Sequence, residues 1–111
     1  MDKIDFEDFK KVELKVGKIL EVARVEGADK LYKLQVDVGE ESSRQIVSGI
    51  VPYYTEEELM GRQIVVCTNL KPAVFRGEQS NGMLLAASSD DDSFCIVLSP
   101  EKETAPGSKI T

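Results

Sequence analysis

The chain has 111 residues, with 14 Lys and Arg against 20 Asp and Glu, which leaves a net charge of −6. This length predicts one domain that buries about two-thirds of its unfolded surface, and 41% hydrophobic with 31% charged residues is typical of a soluble globular protein. The absence of His excludes a Ser-His-Asp triad, a Cys-His pair and a His-ligated metal, and the acidic balance argues against binding nucleic acid through overall charge.

The two cysteines, Cys67 and Cys95, stand in short apolar runs, where we expect small core residues of a reduced cytosolic protein. The longest uninterrupted apolar runs, Met83–Ala87 and Phe94–Leu98, are far too short to cross a membrane. The first residues lack the basic and apolar regions of a signal peptide. We therefore expect a cytoplasmic protein with no metal or cofactor.

The first predicted element is a short helix within an N-terminal segment, residues 1–11. Asp5 is placed to cap the helix, and Phe6 and Phe9 follow at helical spacing on one face. This apolar face either packs on the domain's own barrel or contacts a second subunit. Both alternatives fit the sequence.

Three strands are predicted next. Gly17 interrupts the first of them, as expected of a bulge or a tight bend. The second alternates apolar and polar residues around Val36, and the third spans Arg44–Ser48. The apolar positions of the first strand, which share one parity, are Val12, Leu14, Val16, Leu20 and Val22.

Pro52 then ends the sheet pattern, and Thr55–Gly61 predicts a helix of one or two turns. Thr55 with Glu58 forms a capping box, and Gly61 is typical of a helix C-terminus. We expect the three consecutive glutamates here to serve the helix N-terminus rather than an active site.

Further strands are predicted at Ile64–Cys67, Met83–Ala87 and Phe94–Leu98, with a solvated hairpin loop at Ser88–Ser93. Residues 99–111 predict an irregular extension with Ile110 as its last apolar anchor. Three strands, a helix and further strands are the order of an OB-fold, a five-stranded Greek-key barrel, here over residues 12–98. A β-sandwich is the alternative, although it does not require a helix at that point.

The sequence offers no catalytic arrangement. Ser48, the serines near Ser80 and the two cysteines have no His base, and no G-x-S-x-G, S-x-x-K or glycine-rich phosphate motif is present. The pattern therefore favours a protein that is not an enzyme.

The segment Asn69–Met83 is the strongest candidate for a binding site, because it is longer than a hairpin needs and rich in hydrogen-bonding side chains. Residues 59–77 contain no acid but three bases, Arg62, Lys71 and Arg76. Lys and Arg suit phosphates, Asn and Ser suit base edges or ribose hydroxyls, and Phe or Met suits stacking. Two further lysines, Lys30 and Lys33, lie at another usual binding edge of an OB barrel.

A purely structural interpretation of the same segment is open. Pro72 and Gly77 can shape a turn, Phe75 and Met83 can pack in a core, and Arg76 can pair with a surface acid. From composition and spacing alone, a protein-interaction module is favoured over nucleic-acid binding.

Six short motifs, in order along essentially the whole chain, resemble the tRNA-binding domain family: Phe6–Phe9, Val16–Ile19, Ala28–Leu31, Arg44–Ile50, Asn69–Pro72 and Ser80–Met83. The resemblance implies an OB-fold that binds tRNA by shape. It points to the branch that includes the C-terminal domain of methionyl-tRNA synthetases and related free-standing proteins. It further implies a homodimer, joined through its N- and C-terminal segments, and a methionyl-tRNA synthetase catalytic subunit as a partner.

Carried over by position, the resemblance implies tRNA contacts at Lys30, Lys33, Asn69, Lys71, Arg76, Ser80 and Met83. Many relatives have a basic residue where Val74 stands and often another at Ala73, so we expect weak, salt-sensitive binding that raises the local tRNA concentration for a catalytic partner. The alternative is a dimerisation or chaperone-like module, because a secretion-related chaperone shares this barrel and has an apolar binding surface.

Overall fold

A computed structural model describes residues 1–111 and contains nine strands and two short helices. In chain order these elements are α1 (Phe6–Phe9), β1 (Leu14–Arg24), β2 (Tyr32–Asp37), β3 (Arg44–Ser48), α2 (Glu56–Leu59), β4 (Gln63–Cys67), β5 (Ala73–Phe75), β6 (Glu78–Ser80), β7 (Met83–Leu84), β8 (Ala86–Ser88) and β9 (Cys95–Val97). Five of the strands form an antiparallel sheet in the order β3-β2-β1-β4-β7. Contacts between β3 and β7 bring the sheet edges together, so the predicted five-stranded barrel is confirmed.

The barrel interior is filled by aliphatic side chains from alternate strand positions, together with one residue of α2. The predicted alternation of the second strand is confirmed, since Leu34, Val36 and Val38 are all buried. These three pack in one core with the other large, fully buried side chains, Ile19, Ile46, Leu59, Ile64 and Val66.

The sequence pattern predicted that the apolar residues of the first strand share one buried face, but in the structure they do not. The register between β1 and β2 shifts between Ile19 and Glu21, so Leu20 is the extra residue of a bulge. Ile19 is therefore buried and Leu20 is exposed. Gly17 is not at the bulge. It is buried, and a Cβ there would lie 2.6 Å from Cγ1 of Val36, so this glycine allows close packing inside the barrel.

Helix α1 lies on the surface, and none of its residues is buried. Phe6 and Phe9 keep 70% and 51% of their surface exposed, so packing on the barrel does not cover the apolar face. Asp5 is the N-cap residue, as predicted, but its side chain makes no capping hydrogen bond.

The C-terminal extension is more regular than its sequence suggests, because it pairs with the first half of β1. The Gly107 amide donates to the Val16 carbonyl at 2.7 Å, and the Val16 amide donates to the Ser108 carbonyl at 2.9 Å. The Ile110 amide donates to the Leu14 carbonyl at 3.0 Å, as expected of a terminal anchor.

The remaining local predictions are mostly confirmed. The Thr55 hydroxyl accepts from the Glu58 amide and the Glu58 carboxylate accepts from the Thr55 amide, which completes the capping box. The hydrogen bond that the Thr55 amide donates to the carboxylate is the main cause of the lowered pKa of Glu58. The loop at Ser88–Ser93 joins β8 to β9, but the strand predicted at Met83–Ala87 is broken at Leu85. Neither helix is long enough to cross a membrane.

Candidate nucleic-acid interface

Most of the segment predicted as a binding loop is itself a small hairpin. Strands β5 and β6 pair, and Arg76 and Gly77 form the two-residue turn with φ of +52° and +81°. Positive φ at both turn positions matches the right-handed twist of the strands, and Gly77 adopts it without strain. The turn therefore presents Arg76 at the hairpin tip, next to three exposed residues of β5.

One arginine, Arg44 at the start of β3, holds both ends of this segment. Its Nη1 donates to the carbonyls of Thr68 and Asn81, at 2.6 and 3.2 Å. Its Nε and Nη2 donate to the two carboxylate oxygens of Glu40, each at 2.7 Å. The Arg44 hydrogen bond lowers the pKa of Glu40, and the same bond raises the pKa of Arg44. The sequence pattern placed Arg44 only in a strand, although an acid four residues earlier across a turn is a signal for this pairing.

Two of the residues implied as tRNA contacts use their polar atoms within the chain. The Ser80 hydroxyl is buried, accepts from the Val47 amide at 3.0 Å and donates to the Gly82 carbonyl at 2.9 Å. The Asn69 side chain accepts from the Glu13 amide at 2.8 Å and donates at 2.6 Å to the carbonyl two residues before Glu13. Both side chains therefore fix the ends of the segment.

The structure brings two other implied contacts together. Lys30, from the turn before β2, and Arg76, from the hairpin tip, line one open depression on the surface. Neither side chain takes part in any of the five ion pairs, and the same is true of the exposed Lys71. The alternative in which Arg76 pairs with a surface acid is therefore wrong. Asp29 lines the same depression and reduces its positive charge.

Lys33 differs from these three cations because it is already paired. Its Nζ lies 3.2 Å from the Glu78 carboxylate on β6, and that bond ties the hairpin to the outer face of β2.

The apolar members of the region are exposed rather than buried. Phe75 keeps 43% of its surface exposed and Met83 keeps 49%, so the alternative in which they pack in a core is wrong. Met83 borders an apolar groove, lined also by Ile50, Leu85 and Leu98. These side chains offer flat or flexible apolar surface beside the cationic hairpin.

Comparisons with known proteins show which family this chain belongs to. The family model described as a tRNA binding domain matches residues 14–109. The methionine–tRNA ligase of Methanosarcina acetivorans is 50% identical over 99% of this chain, which spans only 15% of the ligase. The MetRS related protein from Pyrococcus horikoshii superposes with a TM-score of 0.92 at 33% identity, covering 100% of both chains. The chaperone CsaA from Bacillus anthracis gives 0.89 at 27% identity, covering 99% and 100%. The chain therefore belongs to the tRNA-binding domain family.

Proposed function

We propose that this chain is a structure-specific tRNA-binding module without catalytic activity, which serves a methionyl-tRNA synthetase in the cytoplasm. It acts either as an appendage of the synthetase or as a separate protein in trans. The family match over residues 14–109 supports tRNA binding. The 50% identity to part of a methionine–tRNA ligase supports the link to that enzyme.

The observation that carries the proposal is the set of unpaired cations on the hairpin side of an acidic protein. Lys30 and Arg76 share a depression, and Lys71 is exposed without an acidic partner, although the chain has a net charge of −6. Unpaired cations bind phosphates without first giving up an internal partner, so binding is local and depends on salt.

The other implied residues take supporting roles in this proposal. Met83 contributes apolar contact, and the exposed Phe75, which is not among the implied contacts, adds a ring for stacking on an unpaired base. Asn69 and Ser80 hold the segment in place, and Lys33 contacts phosphate only after leaving Glu78.

The test is a titration of tRNA against the double variant Lys71→Ala/Arg76→Ala at two salt concentrations. We expect weaker binding and a salt slope reduced by about 0.7–0.9 for each phosphate that the variant no longer neutralises. The matched control is Lys3→Ala/Lys102→Ala, which removes two exposed lysines that form no ion pair. Equal loss of binding in both variants would show that overall charge, not the hairpin, governs binding.

We also propose that the functional form is a homodimer. Phe6, Phe9 and Val12 border a mostly apolar groove whose other wall includes Leu14 and Ile110. A second copy of the chain would cover this exposed surface. Sedimentation at micromolar concentration should give particles of twice 12.3 kDa, and Phe6→Ser/Phe9→Ser should give 12.3 kDa particles. Particles of 12.3 kDa for the wild type would contradict the dimer.

A chaperone-like function is the second candidate. It is favoured by the fold shared with the chaperone CsaA and by the apolar groove beside Met83. An unfolded apolar peptide that displaces tRNA from the wild-type protein, but not from a Met83→Ser variant, would support it.

A further inference from the structure

Glu78 is the single acid between Glu58 and Asp90, a stretch that otherwise carries only basic charges. Its position is central to the hairpin, because it pairs across the turn with Phe75 and lies two residues after Arg76. An acid at this point lowers the positive potential of the surface to which we assign phosphate binding.

Both carboxylate oxygens of Glu78 have partners on the barrel. Oε2 lies 3.2 Å from Lys33 Nζ on β2, and Oε1 accepts from Gln45 Nε2 at 3.3 Å on β3. The carboxylate therefore occupies a place that an anionic ligand oxygen could occupy, between an ammonium group and an amide donor.

Lys33 points out of the barrel because its neighbours Tyr32 and Leu34 are buried. It stands three residues after Lys30, which lines the depression with Arg76. The side chains of Lys33 and Glu78 keep 36% and 29% of their surface exposed, so a ligand can reach the pair. A single ion pair at a partly exposed position contributes little to stability, so a ligand can exchange for one of its partners.

Resting on the function proposed above, we propose that Glu78 is a built-in competitor for Lys33 and thereby sets the affinity of the surface for polyanions. In the free protein the Glu78 carboxylate holds Lys33. In the complex a backbone phosphate replaces that carboxylate, and Lys33 extends the cationic surface formed by Lys30 and Arg76. The hairpin remains attached meanwhile, since Gln45 also donates to the Gln79 carbonyl at 3.0 Å.

The test is Glu78→Gln, which removes the charge but keeps an oxygen able to accept from Gln45. We expect tRNA to bind about two- to fivefold more tightly, the factor that corresponds to losing a competing surface ion pair. The salt slope should change by less than the value of about 0.7–0.9 expected for one whole phosphate, because Lys33 neutralises the same phosphate in both proteins and only its competitor in the free protein is removed. Unchanged or weaker binding by the folded variant would overturn the proposal and mark Glu78 as a purely structural attachment.

A double-mutant cycle separates competition from simple charge removal. In a Lys33→Ala background, Glu78→Gln should gain no more than Asp29→Asn gains in the wild type. Asp29 lines the depression and forms no ion pair, so it reports the general effect of one acid fewer. An equal gain from Glu78→Gln with and without Lys33 would refute the competition.

Two further measurements keep the result interpretable. Thermal unfolding checks that Glu78→Gln folds, and Glu78→Thr, which suits a strand, replaces it if it does not. Wild-type binding is measured first: no binding to tRNA at low salt would refute the proposed function, whereas wild-type binding without a gain in the variant refutes only the role of Glu78.

Discussion

Replacing Ser80 by alanine distinguishes a side chain that holds the hairpin from one that contacts tRNA. In the structure the Ser80 hydroxyl is the acceptor for the buried Val47 amide and the donor to the Gly82 carbonyl. Ser80→Ala removes both hydrogen bonds at once while changing the side-chain volume very little. The Val47 amide, whose strand is buried at that point, is left without an acceptor.

An unsatisfied buried polar group costs about 1–3 kcal/mol, so we expect the free energy of unfolding to fall by about 2 kcal/mol. With about 2.1 cal/mol/K of unfolding entropy per residue, a chain of this length should lose about 9 °C in Tm. Urea unfolding followed by circular dichroism measures the free energy, and a thermal scan measures Tm.

The matched control is Ser99→Ala, because Ser99 is exposed. We expect it to change the free energy of unfolding by less than about 0.5 kcal/mol. At a temperature where Ser80→Ala and the double variant Lys71→Ala/Arg76→Ala are both folded, Ser80→Ala should bind tRNA more tightly than the double variant. A stable Ser80→Ala protein that binds tRNA poorly would refute this reasoning and make Ser80 a direct contact.

Two further predictions concern the barrel and the Arg44 pairing. Gly17→Ala should destabilise the fold by about 1–3 kcal/mol through overpacking, because its Cβ would lie 2.6 Å from Val36 Cγ1. The control is Gly49→Ala, whose Cβ would meet nothing closer than 3.9 Å. Equal urea midpoints for the two variants would contradict the prediction. The lowered pKa of Glu40 means that its contribution to stability is complete above its ordinary value of 4.5 and is lost as the pH falls through the lowered pKa. As the pH is lowered from neutral into the acid range, the free energy of unfolding of Glu40→Gln should therefore fall less than that of the wild type. Urea unfolding at each pH measures this, and equal falls in the two proteins would argue against the pairing.

Local patterns predicted most of the barrel because they depend on neighbouring residues. The alternation around Val36 and the capping box of Thr55 are decided within a few positions of the chain. The bulge at Leu20 was missed because it depends on how β1 pairs with two different strands, which one strand's own pattern does not reveal. Gly17 was misinterpreted for the same reason, since the side chain that excludes a Cβ there belongs to β2.

The candidate site was predictable by residue type but not by role. Sequence and resemblance selected Lys71, Arg76 and Ser80 together, although only the two cations are free and exposed. The difference arises from a contact with β3, because Ser80 meets Val47 across 33 positions of sequence. Arg44 was missed because its backbone acceptors, Thr68 just after β4 and Asn81 just after β6, lie far from it in sequence.

The balance between Lys33 and Glu78 bears on how an acidic protein can bind a polyanion at all. Steering by overall charge does not operate at a net charge of −6, so affinity has to come from a few cations that no internal acid neutralises. Five cations lie near the hairpin or at its base: Lys30, Lys33, Arg44, Lys71 and Arg76. Two of them are held by acids, Arg44 by Glu40 and Lys33 by Glu78. The Arg44 pair is bidentate and supports the fold, so a ligand gains nothing by breaking it. The Lys33 pair is a single contact that is only partly buried, which makes it the point where one substitution can raise affinity without weakening the barrel.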